Sequence, residues 1–532
     1  MSHSIDRRAF LTTGISFAGA GVLGVSAASC VSDNVVAPTL SGSAVPDSPS
    51  RLIRADGDLA EPPILSSVAG ILSTSITCET RPVSIAGRIV AQPVTYNGSF
   101  PAPTLWVRAG DTIDLRFTNR IVFDQADTKP GYGRPPRMGN QTNLHYHGLH
   151  VSPTGSADNM LVMVPANGSA RYFFQVPANH PAGLFWYHAH VHGLVTNHVG
   201  RGAAGMLYVA NDYTDAVGRL GIRRRLMILQ QAYLDPDDEK TLISDDGERD
   251  DPKLAMSLIN GQLMPDIHMR PGEPQVWSLL NASTSAFYVV RLEGHTFDVI
   301  AQDGIPLRAP GRVGRDTLLL ASGTRLEVVV RATTAAGRYT LSYDQHNQGV
   351  DTWPQKSVAT VIVDGARWSG PSHPGVDATH ALEDLSIATV TDDRKRTIVF
   401  GIDKNVAEGE FGRFTMNGHP YDPARSEWTS TLGTVEEWFI RNDTEQDHPF
   451  HVHVNPFQVT KINGAPVPFE GHQDVAIVPR FGSITVRTKF IDFAGGPILM
   501  HCHILDHEDM GMMTSFDIEE RDDEERDDEE RE

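Results

Sequence analysis

The sequence predicts an all-β protein built from three consecutive β-sandwich domains. Short β-rich runs with alternating apolar positions recur between turns that contain Gly, Pro and Asn, and long helical periodicities do not occur. Examples are TIDLRFTN (112–119), RLEVVVRAT (325–333) and SITVRTKF (483–490). Runs of this length and spacing are typical of antiparallel sandwiches.

A weak internal repeat predicts the number of domains. Each copy has an Asn-Gly turn, then a Gly-containing turn, then an apolar strand that ends in Asn. The copies run from Asn97 to Asn119, from Asn260 to Asn281 and from Asn417 to Asn442. Because the spacing is nearly constant, we interpret the three copies as one structural unit used three times.

Residues 1–30 are predicted to be an export signal. Arg7 and Arg8 precede an apolar stretch that begins at Phe10 and is short for a membrane span. This start resembles a twin-arginine signal, the bacterial type that exports folded proteins through the twin-arginine translocation machinery. The protein is therefore expected in the periplasm or outside the cell. Cys30, in AASC, suggests lipid anchoring as an alternative to simple cleavage.

Composition and the repeat divide the rest of the chain. The predicted segments are a flexible N-terminal part (31–74), a first domain (75–212), a second domain (220–365), a linker (366–382), a third domain (383–518) and an acidic tail (519–532). The tail holds 11 acidic and 3 basic residues and is predicted to be solvated. The net charge is −21 and neither half of the chain has a basic stripe, so we expect no nucleic-acid partner.

Three cysteines do not make a disulfide framework. Cys78 is predicted to be a small buried apolar residue. Cys502 differs because it lies between two histidines in HCHILDH (501–507).

Four histidine clusters point to metal binding. They are HYHG (145–148), HAHVHG (188–193), HPFHVH (448–453) and HCHILDH (501–507). Each contains an H-x-H pair, and residues i and i+2 of a strand point to the same face, so each pair presents two imidazoles side by side. Two clusters fall in the first domain and two in the third, which a chance surface arrangement does not explain.

The same alternation predicts two metal sites on one strand. In the triplet 501–503 the two histidines face one way and Cys502 faces the other. His507 and Met512 return on the following loop, and His448 can supply a second imidazole to the sulfur. Two imidazoles, a thiolate and a long thioether contact describe a blue-copper electron-transfer centre.

These motifs resemble those of the multicopper oxidase family, which includes laccases, bilirubin oxidases and cuprous oxidases, over residues 80–518. The resemblance implies cupredoxin-like Greek-key sandwiches, four copper ions, and reduction of dioxygen to water at a trinuclear cluster. Cys502, His501 and His503 would carry electrons to that cluster. The implied ligands are His448, Cys502, His507 and Met512 for a type 1 copper, His145 and His451 for a type 2 copper, and His147, His188, His190, His453, His501 and His503 for a type 3 pair.

Proton delivery needs acidic groups near such a cluster. Asp158 stands where family members place an acidic residue, and Asp506 stands where relatives often carry Glu. For each, proton delivery and the orientation of a ligand histidine by a hydrogen bond are equally open. Glu508 is a weaker candidate.

Other residues near the clusters are given ordinary structural roles. This group consists of His150, His192, His198, His268, His295, His472, Met510 and Met513. The second domain has no H-x-H pair, so it is interpreted as a spacer between the first and third domains.

Three functions remain open from the sequence. The first is an exported, laccase-like oxidase of phenols or similar organic reductants. The second is an oxidase of Cu(I) or Fe(II) in metal tolerance, which the lack of a Met-rich insertion between Met416 and Cys502 disfavours. The third is a non-catalytic periplasmic copper-binding or scaffold protein, against which the complete ligand set argues.

Overall fold

The structure, a computed structural model, describes residues 57–90, 92–122, 139–234, 242–243, 252–377, 382–408 and 411–521. The predicted export signal, Cys30 and the acidic tail beyond residue 521 lie outside the described residues. Strands dominate, and their sheets follow one another along the chain as three sandwiches. The predicted fold class is confirmed, and the domain limits given above stay a prediction.

The first sandwich spans residues 64–210. Its strands are β1 (Ile64–Ser66), β2 (Ile71–Thr80), β3 (Val83–Ile85), β4 (Arg88–Val90), β5 (Val94–Tyr96), β6 (Thr104–Arg108), β7 (Thr112–Arg120), β8 (His145–His147), β9 (Ser169–Gln175), β10 (Gly183–His188) and β11 (Ala204–Ala210). One sheet has the order β1-β6-β11-β10-β8 and the other β5-β2-β7-β9, with β3 and β4 forming a separate hairpin. Two helices, α1 (Val195–Gly200) and α2 (Asp212–Arg219), precede and follow β11.

The second sandwich spans residues 223–363. Its strands are β12 (Arg223–Leu234), β13 (Leu242–Ile243), β14 (Met256–Ile259), β15 (Asp266–Met269), β16 (Pro274–Asn281), β17 (Tyr288–Leu292), β18 (Phe297–Gln302), β19 (Ile305–Pro306), β20 (Arg312–Arg315), β21 (Leu318–Leu320), β22 (Arg325–Arg331), β23 (Gly337–Asp344), β24 (His346–Asn347), β25 (Thr352–Trp353) and β26 (Lys356–Val363). The sheets run β13-β12-β16-β22-β18-β19, with β14 on β12 and β20 on β18, and β15-β26-β23-β17-β21. Strands β24 and β25 pair separately.

The third sandwich spans residues 395–519. Its strands are β27 (Lys395–Ile402), β28 (Phe414–Met416), β29 (Thr429–Thr431), β30 (Val435–Asn442), β31 (His448–Val452), β32 (Phe457–Ile462), β33 (Ala465–Pro466), β34 (Val475–Val478), β35 (Ser483–Lys489), β36 (Gly495–Cys502) and β37 (Met513–Glu519). The sheets are β28-β27-β30-β35-β32-β33 and β29-β37-β36-β31-β34. A short helix, α3 (Leu505–Asp509), joins β36 to β37, and two 3-10 turns (Leu385–Ile387 and Asp392–Arg394) precede β27. None of the helices in these described ranges has the length and apolar character needed to cross a membrane.

The predicted repeat corresponds to one turn in each sandwich. Asn97, Asn260 and Asn417 all have positive φ values of 52 to 54°, and each is followed by a glycine with positive φ. This conformation explains the Asn-Gly pair, because a tight hairpin turn requires positive φ at both central residues. In each copy the asparagine Oδ1 accepts one backbone N–H from the first long strand of its own sandwich. The donors are Thr77 (2.8 Å), Ile228 (2.7 Å) and Val399 (2.9 Å).

Each sandwich has its own apolar core, and a further core joins them. The three sandwich cores are formed almost entirely by residues of one sandwich each. The joining core includes Trp186 of the first sandwich, Leu226 and Leu280 of the second, and Leu505 of α3. These buried contacts lie directly beside the histidine strands and therefore fix how the sandwiches meet there.

Backbone pairing brings the four histidine clusters together in twos. Strand β8 lies antiparallel to β10, with His145 opposite His188. Strand β31 lies antiparallel to β36, with His451 opposite His501 and Phe450 opposite Cys502. The first and third sandwiches thus each present one double row of histidines.

Candidate metal centre

The sulfur of Cys502 lies in a pocket with two imidazoles. Its Sγ is 3.4 Å from His448 Nδ1 and 3.9 Å from His507 Nδ1, and the two Nδ1 atoms are 3.2 Å apart. All three side chains are buried. Their ligand atoms are close enough to share one metal ion.

Hydrogen bonds from neighbouring residues orient the side chains around Cys502. Thr444 Oγ1 lies 2.7 Å from His448 Nε2, which leaves Nδ1 of that ring facing the sulfur. Met512 is bound through its backbone: its carbonyl accepts the Cys502 N–H at 3.0 Å, and its own N–H donates to the His507 carbonyl at 2.8 Å. The Met512 side chain is fully buried in the same apolar cluster as Cys502. The four predicted type 1 ligands therefore lie together.

The other eight histidines form one buried cluster between the first and third sandwiches. In each H-x-H pair the two rings lie side by side, with centroids 5.1 to 5.6 Å apart, as the strand alternation predicts. Across the sandwiches, His501 Nε2 is 3.3 Å from Nε2 of both His190 and His453. His147 Nδ1 lies 3.3 Å from His503 Nε2. Nitrogen atoms of the cluster thus converge on a common interior.

The outward nitrogen of most of these rings contacts protein. His145 Nδ1 contacts Asp158. Backbone carbonyls lie beside the Nδ1 atoms of three further rings: Ala189 beside His188, Asp474 beside His451 and Cys502 beside His501. Ser322 Oγ of the second sandwich lies 3.2 Å from His503 Nδ1. A hydrogen bond on one ring nitrogen fixes which nitrogen is left to bind a metal.

Among the residues that the structure describes, three inward nitrogens of the cluster find no hydrogen-bond partner. They are the buried Nε2 atoms of His145, His188 and His451. A buried polar atom without a partner is costly, so these atoms call for a ligand. The donor set is imidazole and thiolate, and the ring nitrogens and sulfur suit copper far better than a hard ion such as magnesium. The residues present therefore fit copper.

Burial keeps the imidazoles neutral. It lowers the pKa of His448 to about 3 and those of His190 and His501 to about 4. For the remaining ligand histidines burial is again the largest cause, and it holds the pKa well below the usual range; these are His145, His147, His188, His451, His453, His503 and His507. Burial also raises the pKa of Cys502 well above its usual range, whereas a coordinated thiol loses its proton outright.

Carboxylates contact the cluster at two predicted positions and one unexpected one. Asp158 contacts His145 Nδ1 through both oxygens, at 2.9 and 3.0 Å, and burial raises its pKa to about 7. Glu508 lies 3.1 Å from His501 Nδ1 and 3.5 Å from His190 Nδ1. Asp506 is placed elsewhere, 3.9 Å from His507 Nε2. The carboxylate of this segment that faces the eight-histidine cluster is therefore Glu508.

The unexpected carboxylate is Asp474, just before β34. Its Oδ1 lies 3.3 Å from His147 Nε2, and its backbone carbonyl lies 2.8 Å from His451 Nδ1. Burial raises the pKa of Asp474 to about 7, and the Arg325 guanidinium opposes this rise. The sequence analysis missed this residue, since QDVAIV (473–478) carries only a single acid before an apolar strand. No local spacing connects it to HYHG.

Three nearby histidines that were given structural roles contact protein groups outside the cluster. His198 Nε2 contacts the Gly139 carbonyl at 2.9 Å. His150 lies between the Val454 carbonyl and Asp492, each 3.0 Å from a ring nitrogen. His192 packs edge-on against Phe411 and Tyr421.

Comparisons with known proteins agree with this geometry. Three family models described as multicopper oxidase match residues 77–128 with 137–213, residues 223–366, and residues 393–522. A "Multicopper oxidase mco" of Staphylococcus haemolyticus is 25% identical over 430 residues, which cover 79% of this chain and 82% of the relative. "Multicopper oxidase MmcO" of Mycobacterium tuberculosis is 26% identical and covers 97% of this chain and 98% of its own. A solved multicopper oxidase of Campylobacter jejuni, described as a metallo-oxidase, has a TM-score of 0.70 at 23% identity, covering 88% of this chain and 96% of that one.

Proposed function

Since the chain belongs to the multicopper oxidase family, we propose that it is a laccase-like member that oxidises phenols or similar organic reductants with four bound copper ions. The enzyme couples oxidation of a reductant to reduction of dioxygen. Copper, when bound, supplies this chemistry by taking up and giving up single electrons. The proposed ligands are His448, Cys502, His507 and Met512 (type 1), His145 and His451 (type 2), and His147, His188, His190, His453, His501 and His503 (type 3).

One observation carries the proposal. Cys502 faces His448 and His507, and both of its neighbours in sequence belong to the eight-histidine cluster on the other face of the strand. Two peptide bonds therefore join the sulfur site to His501 and His503. We propose this backbone as the path for electrons between the two sites.

Two buried carboxylates are proposed to deliver protons. Asp158 holds His145 Nδ1, and Glu508 lies beside the Nδ1 atoms of His190 and His501. Each can hold a proton on a carboxylate oxygen, and only one imidazole ring then separates that oxygen from the interior of the cluster. Asp506, which contacts the outer nitrogen of His507 instead, is the less suited of the residues first considered.

The surroundings of His507 support an aromatic reductant. Phe414 stacks on the His507 ring with centroids 3.8 Å apart and planes 21° apart. Phe411 and Tyr421, which precede and follow the strand that carries Phe414, pack against His192. A substrate ring that stacks on these aromatic side chains would approach the Cys502 site through His507.

Oxygen uptake by the copper-loaded protein tests the function. We expect faster turnover with a phenol than with Cu(I), and loss of turnover and of the visible copper–thiolate absorption in Cys502→Ser. Cys78→Ala is the matched control, because Cys78 is equally buried but belongs to the core of the first sandwich. Faster turnover with Cu(I) would replace the laccase-like assignment by metal-ion oxidation. Copper uptake without turnover on either reductant would contradict the oxidase.

We also propose that residues 1–30 export the folded protein by the twin-arginine route. The support is the pair Arg7-Arg8 ahead of an apolar stretch. Replacing both arginines with lysine should leave the protein in the cytoplasm. A palmitate label on the wild type that Cys30→Ser lacks would show lipid attachment.

A further inference from the structure

A fully buried arginine of the second sandwich lies behind the eight-histidine cluster. Arg325, at the start of β22, has no exposed surface, and all five of its N–H groups have acceptors. Nε donates to the Leu184 carbonyl at 3.3 Å, Nη1 to the Gly323 carbonyl at 3.1 Å and Asp474 Oδ1 at 2.6 Å, and Nη2 to the Asp303 carbonyl at 3.0 Å and Asp474 Oδ2 at 2.5 Å. The acceptors come from all three sandwiches.

Asp303 completes this arrangement from the other side. One of its carboxylate oxygens accepts the backbone N–H of Arg325 at 2.9 Å, and the other accepts the backbone N–H groups of Asp474 and Val475, each at 3.2 Å. Asp303 is fully buried as well. The second sandwich therefore holds Asp474 both by its carboxylate and by its backbone.

Asp474, held in this way, contacts two of the proposed ligand histidines. Its carboxylate faces His147 Nε2 at 3.3 Å, and its carbonyl faces His451 Nδ1 at 2.8 Å. His147 thus turns Nδ1 inward, where it meets His503 Nε2, while His451 turns Nε2 inward. The rings of His147 and His451 stack with their centroids 3.7 Å apart.

We propose that Arg325 is a positioning residue for the trinuclear copper cluster: by fixing Asp474 it sets which nitrogen of His147 and of His451 faces the copper ions. The proposal rests on the proposed copper sites. The second sandwich is then more than the spacer expected from its lack of H-x-H pairs, since it supplies the group that orients ligands of the other two domains. Changes to such outer partners of metal ligands typically cost about 10–100-fold in metal affinity or activity.

Lysine cannot replace this arginine. The planar guanidinium binds both Asp474 oxygens while its other N–H groups reach three carbonyls, whereas an ammonium offers three donors from one point. The Asp474 carboxylate, no longer held through both oxygens, would then be free to rotate about its Cβ–Cγ bond. Charge alone is not sufficient for the role.

The test compares Arg325→Lys and Arg325→Met with Arg224→Met as a matched control. Arg224 is a partly buried arginine of the second sandwich whose guanidinium contacts Glu327, Ser278 and Tyr208 rather than Asp474. Copper content, the electron paramagnetic resonance signal of the type 2 copper and the thermal unfolding temperature are measured for each copper-loaded protein. The resonance signal does not require turnover, so a failure of the proposed oxidase activity would be seen separately, in the wild type.

We expect both Arg325 variants to lose or alter the type 2 signal and to lose at least about tenfold in kcat, with the Cys502 absorption retained. Arg224→Met should lower the unfolding temperature and leave the type 2 signal unchanged. An unchanged type 2 signal in folded Arg325→Met, or the same altered signal in Arg224→Met, would overturn the proposal. If neither Arg325 variant accumulates, Asp474→Asn decides the question: an altered type 2 signal supports the proposal and an unaltered one overturns it.

Discussion

At the scale of the residue, Gly148 shows how closely the sandwiches approach one another. It follows His147 with φ of +85°, and an added Cβ would collide with the guanidinium of Arg325 and the carboxylate of Asp474. The glycine of HYHG is therefore required both by its backbone conformation and by the ion pair behind it.

Gly148→Ala is expected to lower the free energy of unfolding by about 3 kcal/mol, because a strained φ and overpacking add. Gly155→Ala is the control: its φ is +67°, but nothing lies within 4 Å of the added carbon, so only the conformational cost of about 1 kcal/mol remains. Thermal unfolding of both variants measures the difference. Equal losses would contradict the close contact.

A second residue, Phe414, covers the ring of His507. Its ring centroid lies 3.8 Å from that of His507, so Phe414 directly covers one of the proposed ligands of the Cys502 site. A phenol that approaches His507 must pack beside this ring.

Phe414→Leu should raise KM for a phenol by about three- to tenfold, since an aromatic pair contributes about 0.5–1.5 kcal/mol. The rate with Cu(I) should change little, because a metal ion gains nothing from ring stacking there. Phe439→Leu, an exposed phenylalanine on β30, is the control. A parallel change with both reductants would show that Phe414 acts only by packing.

At the scale of the element, α1 and α3 join the first and third sandwiches. Asp509, at the end of α3, accepts N–H groups of Gly193 at 2.5 Å, Val195 at 3.3 Å and Thr196 at 2.9 Å, at the start of α1. A carboxylate at a helix start also interacts favourably with the helix dipole. This contact fixes the HAH segment against the HCH segment.

Asp509→Ala should therefore lower the free energy of unfolding by about 2 to 4 kcal/mol, since it leaves buried N–H groups without their charged acceptor. Copper content should fall with it. The exposed Asp364→Ala is expected to change neither. Unfolding temperature and metal analysis check both, and an unaffected copper content would show that the helix contact is not needed for the cluster.

The elements also show what sequence can predict. The H-x-H pairs and the opposite face of Cys502 follow from strand alternation, and they were predicted correctly as local geometry. Strand spacing did not predict that Glu508 rather than Asp506 lies beside His501 and His190, because the chain leaves β36 and enters α3, where side chains recur at helical spacing. Arg325 and Asp474 were missed because their contacts form only when the three sandwiches dock: Arg325 meets Asp474 across 149 residues of chain, and Asp474 meets His147 across 327.

At the scale of the whole molecule, the interior holds an unusual number of neutral imidazoles. Besides the ligand candidates, burial lowers the pKa of His198 and His472 to about 4. In the unfolded chain these groups return to about 6.5. As pH falls through 6.5 the unfolded state binds protons that the folded state does not, so stability decreases. The raised pKa values of Asp158 and Asp474 act in the opposite direction but are outnumbered.

The metal-free protein should therefore lose stability steeply between about pH 6.5 and about pH 4, with each such histidine contributing up to about 1.4 kcal/mol per pH unit. His472→Gln should reduce this slope by one proton, because His472 is buried and binds no copper in the proposal. Denaturant unfolding over this pH range gives the slopes, and a slope unchanged by His472→Gln would contradict the assignment.

The sequence distance between partners in the histidine cluster has a consequence for biosynthesis. His147 meets His503 across 356 residues, and the HCH segment is translated long after the first sandwich can fold. A nascent chain on the ribosome exposes the imidazoles of HYHG and HAHVHG without their counterparts. The complete set of histidines thus exists only after the third sandwich has been made and docked, so full metal loading has to follow that docking.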